Sequence, residues 1–259
     1  MNSEPDFRKD AVNPIGHRGW KRMLYGAAAL AFFAVATLHA APQASHVAHK
    51  APPTKAAISI SDPVKTYGTK GAPITLELFT DYECPICRSF YENTLRSLIN
   101  DYVAAGKVYI IHHDYPLSMH PYSGQAARWA DAAATVGEFG AAEGALYDNQ
   151  NKWTANGNIA PFIAQAMPHS DFEKVAAIMK DCTTAAPQVT TSNVDPLAKS
   201  GHSCPVDPFI AKDIEIGYKY NVNATPTYIV YHNGQKIAQG SSYVSWPIFR
   251  QFLDSILSQ

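Results

Sequence analysis

The chain has 259 residues, of which 46% are hydrophobic and 17% charged, with four cysteines and a net charge of -1. That balance excludes a basic footprint for nucleic acid or for an anionic membrane surface, so partners are expected to be polypeptides or small thiols. The length leaves room for one ordinary domain of about 200 residues once the amino-terminal segment is set aside.

Residues 1–22 are polar and end in Arg18, Lys21 and Arg22, whereas Met23 to Leu38 carries no charge and is rich in Ala, Leu, Phe and Val. This pattern predicts an export signal: the basic side stays in the cytoplasm and the chain beyond Leu38 is translocated. Leu38-His39-Ala40 is a mediocre cleavage site, and counting on to Ala41 makes a span possible, so 23–41 reads as a signal sequence or, by a small margin, an uncleaved anchor. Residues 42–60, rich in Ala, Pro, Lys and His, read as a semi-extended linker. The folded domain is then 61–259.

Ile74 to Thr80 is an apolar strand-like run, followed at once by Cys84-Pro85-Ile86-Cys87. A strand ending just before a helix places the first thiol against unpaired backbone N–H groups and the positive end of the helix dipole, which favours thiolate. Pro85 suits a first helical position, and Tyr91, Leu95, Leu98, Ile99, Tyr102 and Val103 follow as an apolar stripe. Cys87 lies four residues before Tyr91 and therefore points to the buried side, with Cys84 at the exposed tip. The pair reads as a redox site, Cys84 attacking and Cys87 resolving. Half of a zinc site would want a second closely spaced pair, which Cys182 and Cys204 do not form.

Lys107 to Asp114 predicts a second strand buried on both faces. Pro121 opens an Ala-rich helical stretch that breaks near Gly137 and resumes to about Asn149, with Asp148 to Asn151 as a polar loop. Asn158 to Met167 is another helix. Ser170 and Glu173 form a capping box for a helix ending near Cys182, and Asp207-Pro208 opens the next, with Ile210, Ile214, Gly217 and Tyr218 on one side. Thr227 to Tyr231 and Lys236 to Gln239 flank Asn233-Gly234, the strongest two-residue hairpin signal. Ser245 caps a closing helix with Phe249, Phe252, Leu253 and Ile256 facing in. Two strands joined through a helix are parallel and the hairpin is antiparallel, so the expected fold class is α/β: a mixed central sheet with helices on both faces and a helical insertion at about 121–200.

In an exported chain, Cys182 and Cys204 read as a structural disulfide closing a loop of about 23 residues, worth roughly 3 kcal/mol on the loop-entropy model. A relay disulfide to Cys84 and Cys87 is the functional rival.

The element order, together with Phe79-Thr80-Asp81-Tyr82-Glu83-Cys84-Pro85-Ile86-Cys87, Tyr115-Pro116-Leu117 with His120-Pro121, and Asn223-Ala224-Thr225-Pro226-Thr227, resembles the thioredoxin fold of the DsbA and DsbG thiol:disulfide interchange proteins. The resemblance covers about residue 60 to the end. It implies a cis Pro226 packed against the active-site sulfurs and Thr225 offering backbone groups to an extended substrate. It further implies a periplasmic protein-disulfide oxidoreductase, possible tethering to the inner membrane, a membrane redox partner, and no metal or cofactor.

Three departures bear on mechanism. Leu78 stands where many relatives bury an acid, and Glu77 is expected to face the other way. The Pro-Ile dipeptide lacks the His of DsbA, so the Cys84 pKa is expected above the DsbA value of about 3.5 and the potential below its roughly -120 mV. Thr before Pro226 matches the DsbC and DsbG isomerases, yet no room remains for their separate dimerisation domain. Oxidase is narrowly favoured over isomerase or reductase. The alternatives are a thioredoxin-like Cu(I) carrier drawing on His112, His113 or His120, and a module whose thiols tether it to a partner.

Overall fold

In the computed structural model the described residues are 64–182, 185–189 and 204–258, so the proposed leader, anchor and linker lie outside them. Five strands form one sheet in the order β1-β3-β2-β4-β5, with β1 at Thr66–Tyr67, β2 at Ile74–Thr80, β3 at Val108–Asp114, β4 at Thr227–His232 and β5 at Gln235–Ser241. β2 is parallel to β3; every other pairing in this sheet is antiparallel. This is the mixed α/β sheet expected from the element order, with β1 as an added edge strand. Two residues are too few to register as an alternating run.

The central strands bring the chemistry together. Thr80, at the end of β2, pairs with Asp114, and Phe79 pairs with Thr227, the first residue of β4. The turn after β2 therefore lies beside both the loop leaving β3 and the Thr225-Pro226 bond entering β4. Asn233 and Gly234 adopt positive φ (49° and 80°), as a two-residue hairpin of this kind requires.

The helix after Cys84 runs through α1 (Pro85–Phe90), a π segment (Tyr91–Leu95), α2 (Arg96–Leu98) and a second π segment (Ile99–Val103). Tyr91, Leu95, Leu98 and Tyr102 of its apolar stripe are buried. Between β3 and α8 (Asp207–Lys219) stand α3 (Ser123–Ala134), α4 (Phe139–Asp148), α5 (Gln150–Trp153), α6 (Ala160–Ala166) and α7 (His169–Met179); α9 (Trp246–Leu257) closes the chain.

Three local expectations need correction. The Ala-rich helix begins at Ser123 with Tyr122 at its N-cap, two residues after Pro121. The Ser170–Glu173 capping box does not form: α7 starts at His169 with the extended Pro168 as N-cap, so Ser170 is already inside the helix. Pro168, with ψ 141°, lies outside the helical range, so Ser170 falls at the second helical position, where its side chain cannot serve as the N-cap of a box. The Asp148–Asn151 loop is instead the tight joint between α4 and α5, and its Gln150 is buried.

Gly217 of α8 packs directly on the buried Tyr115 ring; a Cβ there would lie 2.3 Å from Tyr115 Cε2. The ring cannot retreat easily, because its hydroxyl donates to the Val222 carbonyl at 2.7 Å. Gly217→Ala is expected to destabilise the fold by about 1–3 kcal/mol through overpacking, despite the better helix propensity of Ala. A urea denaturation midpoint equal to or above the parent's would contradict this contact.

Candidate active site

Cys84 occupies the N-cap of α1 with extended backbone (φ -70°, ψ 121°), and Pro85 takes the first helical position. Both thiols of the motif are free. Cys87 is 1% exposed and Cys84 only 6%, so the first sulfur is less exposed than the expected tip. The open surface at the tip belongs to Ile86, which is 43% exposed. The Thr225-Pro226 bond is cis, and the Thr225 carbonyl lies 3.6 Å from Cys84 Sγ, where it accepts from the thiol.

The two sulfurs are electrostatically unlike. A hydrogen bond from the Cys87 side chain is the largest influence on Cys84; burial opposes ionisation, and the backbone N–H of Cys87, the Thr225 side chain and the Ile86 N–H favour it. The result is a pKa lowered to about 6. Burial pushes the Cys87 thiol well up, reinforced by the same hydrogen bond and by the charge of Cys84. Ionisation is thereby favoured at the first sulfur and opposed at the second.

The turn is held from the helical insertion. Gln150 Nε2 donates to the carbonyls of Tyr82 (2.7 Å) and Cys84 (3.0 Å). Leu78 is fully buried, and Glu77 points away to His113, 3.5 Å from its Nε2. The carboxylate near the sulfurs is Asp81, which sequence reasoning had passed over. Its Oδ1 accepts the Glu83 N–H at 2.8 Å, an Asx turn that Asp two residues before the chain bends could have signalled. Its Oδ2 accepts from Leu117 N–H and from His120 Nδ1.

Of the other histidines, His112 sits 2.9 Å from Thr80 Oγ1 and 3.1 Å from Glu143, and His113 is 2.9 Å from Asp213. Of these two buried rings, His113 shares a hydrogen bond with a carboxylate and His112 shares one with the Thr80 hydroxyl. Among the described residues no cluster of three His, Cys, Asp or Glu side chains is arranged to hold a metal. Nor is any helix there long and apolar enough to cross a membrane. Cys182 and Cys204 are joined, S–S 2.08 Å, at the end of α7 and the approach to α8.

A mixed sheet with Cys-x-x-Cys at the head of its first long helix, beside a cis proline that enters β4, and a helical insertion together define a thioredoxin fold. The family model described as Thioredoxin matches residues 61–248, and the chain belongs to that family. In fold it is similar to a doubly substituted form of alpha-DsbA1 from Wolbachia pipientis, with TM-score 0.56 and 17% identity over 75% of this chain and 90% of that one. It is also similar to oxidised BdbD from Bacillus subtilis, with TM-score 0.50 and 17% identity over 77% and 98%. A curated relative, Na(+)/H(+) antiporter NhaA 3 of Salinispora tropica, is 38% identical over 72 residues, 28% of this chain. The match spans only 11% of that antiporter's length.

Proposed function

We propose that this protein is a thiol-disulfide oxidoreductase acting on polypeptide thiols, with Cys84 as the exchanging sulfur, Cys87 as the resolving one, and Thr225-Pro226 as the substrate platform. The observation that carries the reading is a pair of free thiols one helical turn apart, Cys84 at the N-cap and 3.6 Å from the Thr225 carbonyl and Cys87 buried in the helix behind it. In the oxidative direction a substrate thiolate attacks Cys84 of the Cys84–Cys87 disulfide. A substrate–Cys84 bond forms, the Cys84–Cys87 bond breaks, and Cys87 leaves as a thiolate and takes a proton. A second substrate thiolate then attacks the substrate sulfur of the mixed disulfide, and Cys84 departs as the thiolate its surroundings favour. Two substrate thiols become one disulfide, and the protein gains two electrons and is reduced.

Stabilising the Cys84 thiolate stabilises the reduced form, which makes the disulfide an oxidant, and we favour oxidase over isomerase or reductase on that ground. Residues 23–41 support export to the periplasm, with or without a retained anchor, and recycling there requires an electron acceptor, which we assign to a membrane redox partner. A Cu(I) carrier is less well supported, since His113 is hydrogen-bonded to Asp213 and His120 to Asp81.

The test is a redox titration of residues 61–259 against glutathione. A potential between about -120 and -180 mV, the range from DsbA to protein disulfide isomerase, is expected; one near -270 mV identifies a reductant and sinks the oxidase reading.

A further inference from the structure

We propose that His120, held by the buried carboxylate of Asp81, is the cationic partner of the Cys84 sulfur, a charge the Pro85-Ile86 dipeptide does not carry. The inference rests on the reading of Cys84 as the exchanging sulfur. Asp81 and Cys84 share one turn, since the Asp81 carbonyl accepts the Cys84 N–H at 3.1 Å. The Asp81 side chain is closed off from solvent, and its charge is met by three donors: the Glu83 N–H at 2.8 Å, the Leu117 N–H at 2.8 Å and His120 Nδ1 at 2.7 Å. Glu83 in turn accepts the Tyr122 N–H at 2.7 Å. The loop leaving β3 is thus fastened to the Cys84 turn at three points, and Gln188 fixes it from the other side through the His120 carbonyl at 2.8 Å.

This fastening decides the imidazole's chemistry. A carboxylate at Nδ1 requires a proton there and leaves Nε2 as the titrating atom. The ring is 18% exposed, so it can hold a charge without the full cost of burial. The ionisable groups that face it, Asp81, Cys84 and Glu83, all favour the imidazolium, with Asp81 contributing most and burial opposing. Around Cys84 the Cys87 thiol, two backbone amides and Thr225 supply dipoles alone. The imidazolium that these groups favour would add a positive charge beside the Cys84 turn, and His120 acts on Cys84 as a positioning residue.

The experiment compares the full chain with His120→Gln and His120→Lys, following thiolate absorbance against pH and the equilibrium with glutathione. In His120→Gln the Cys84 midpoint is expected to rise by about one unit, leaving roughly tenfold less thiolate below the midpoint and moving the glutathione equilibrium about tenfold toward the protein disulfide. His120→Lys is expected to keep the low midpoint. A folded His120→Gln with the parent's midpoint and equilibrium overturns the proposal. Should that variant not fold, His120→Asn, which also removes the imidazole and leaves the Asp81 carboxylate in place, is expected to raise the midpoint in the same direction, and an unchanged midpoint there overturns the proposal equally. The two readings separate cleanly: a parent protein that does not exchange disulfides with glutathione sinks the oxidoreductase function, and this inference with it, whereas a parent that exchanges normally beside an indistinguishable His120→Gln sinks this inference alone.

Discussion

Replacing Lys65 with Met is expected to lower the folding free energy by about 3–5 kcal/mol, the cost of leaving buried charges without their partner. Lys65 Nζ lies within 2.6 Å of carboxylate oxygens from Asp114, Asp131 and Asp213. These residues come from the end of β3, from α3 and from α8, so one ammonium ties the sheet to the insertion and to the helix beyond it. Burial alone would lower the Lys65 pKa; the three carboxylates together outweigh it and hold it well up. Burial and the neighbouring carboxylates keep Asp131 well above the usual range even with Lys65 present. Asp213, although buried, is held below it by Lys65 and by the His113 hydrogen bond.

Without Lys65 the carboxylates would face one another in the core, and their folded pKa values would rise above the unfolded ones. Groups raised in this way stabilise a protein below the unfolded pKa and lose that contribution as pH rises. The penalty of Lys65→Met is therefore expected to be larger at pH 7.5 than at pH 5. Urea denaturation of both proteins at the two pH values measures it. A difference under about 1 kcal/mol at neutral pH, or one that grows on acidification, would show that the network is not held together by this charge.

The second large effect concerns the sulfurs. Cys84→Ser is expected to abolish thiol-disulfide exchange, because the remaining Cys87 is buried and its pKa is pushed up by that burial. Cys87→Ser is expected to accumulate a substrate–Cys84 mixed disulfide that non-reducing electrophoresis detects, since the attacking sulfur is intact and the resolving one is gone. Alkylation of the reduced parent is expected to follow a midpoint near pH 6, the value to which the Cys87 hydrogen bond and the backbone amides lower Cys84. At pH 7 that is about thirtyfold more thiolate than a free cysteine of pKa about 8.5 carries. Cys87→Ala, which removes the leading hydrogen bond, is expected to raise the midpoint, whereas Ser keeps a donor in place.

The same asymmetry sets how redox state and stability are linked. A folded pKa near 6, below the ordinary value of about 8.5, means that ionisation of Cys84 stabilises the reduced protein fully above about pH 8.5 and that this contribution is lost as pH falls through 6. The disulfide form has no such dependence. Thermal melts of the two forms between pH 5 and 9 are therefore expected to converge with rising pH if the disulfide form is the more stable at acid pH, and to separate if it is the less stable. Parallel curves would mean that Cys84 titrates alike in the folded and unfolded states.

Much of this molecule could be read from local pattern. The run Ile74 to Thr80, the Cys84 to Cys87 spacing, the Asn233-Gly234 turn and the apolar stripe of α9 each declare themselves within a dozen residues, because strand alternation, helical periodicity and turn chemistry are properties of neighbours in the chain. Hence the mixed sheet, the helical insertion and the placement of two cysteines at the head of the first long helix were legible without coordinates. Where two local signals competed, the reading failed: Ser170 and Glu173 spelled a cap, but Pro168 set the boundary.

What only the tertiary structure decided is the set of contacts made by strand register and helix packing. Pairing Phe79 with Thr227 brings the Thr225 carbonyl to Cys84, and docking the loop after β3 brings His120 to Asp81. Nothing in the spacing of Lys65, Asp114, Asp131 and Asp213 announces that four charged residues meet in the core. Charge recognition acts through space and has no period along the chain, so sequence identified the sulfurs while the fold chose the charges that surround them.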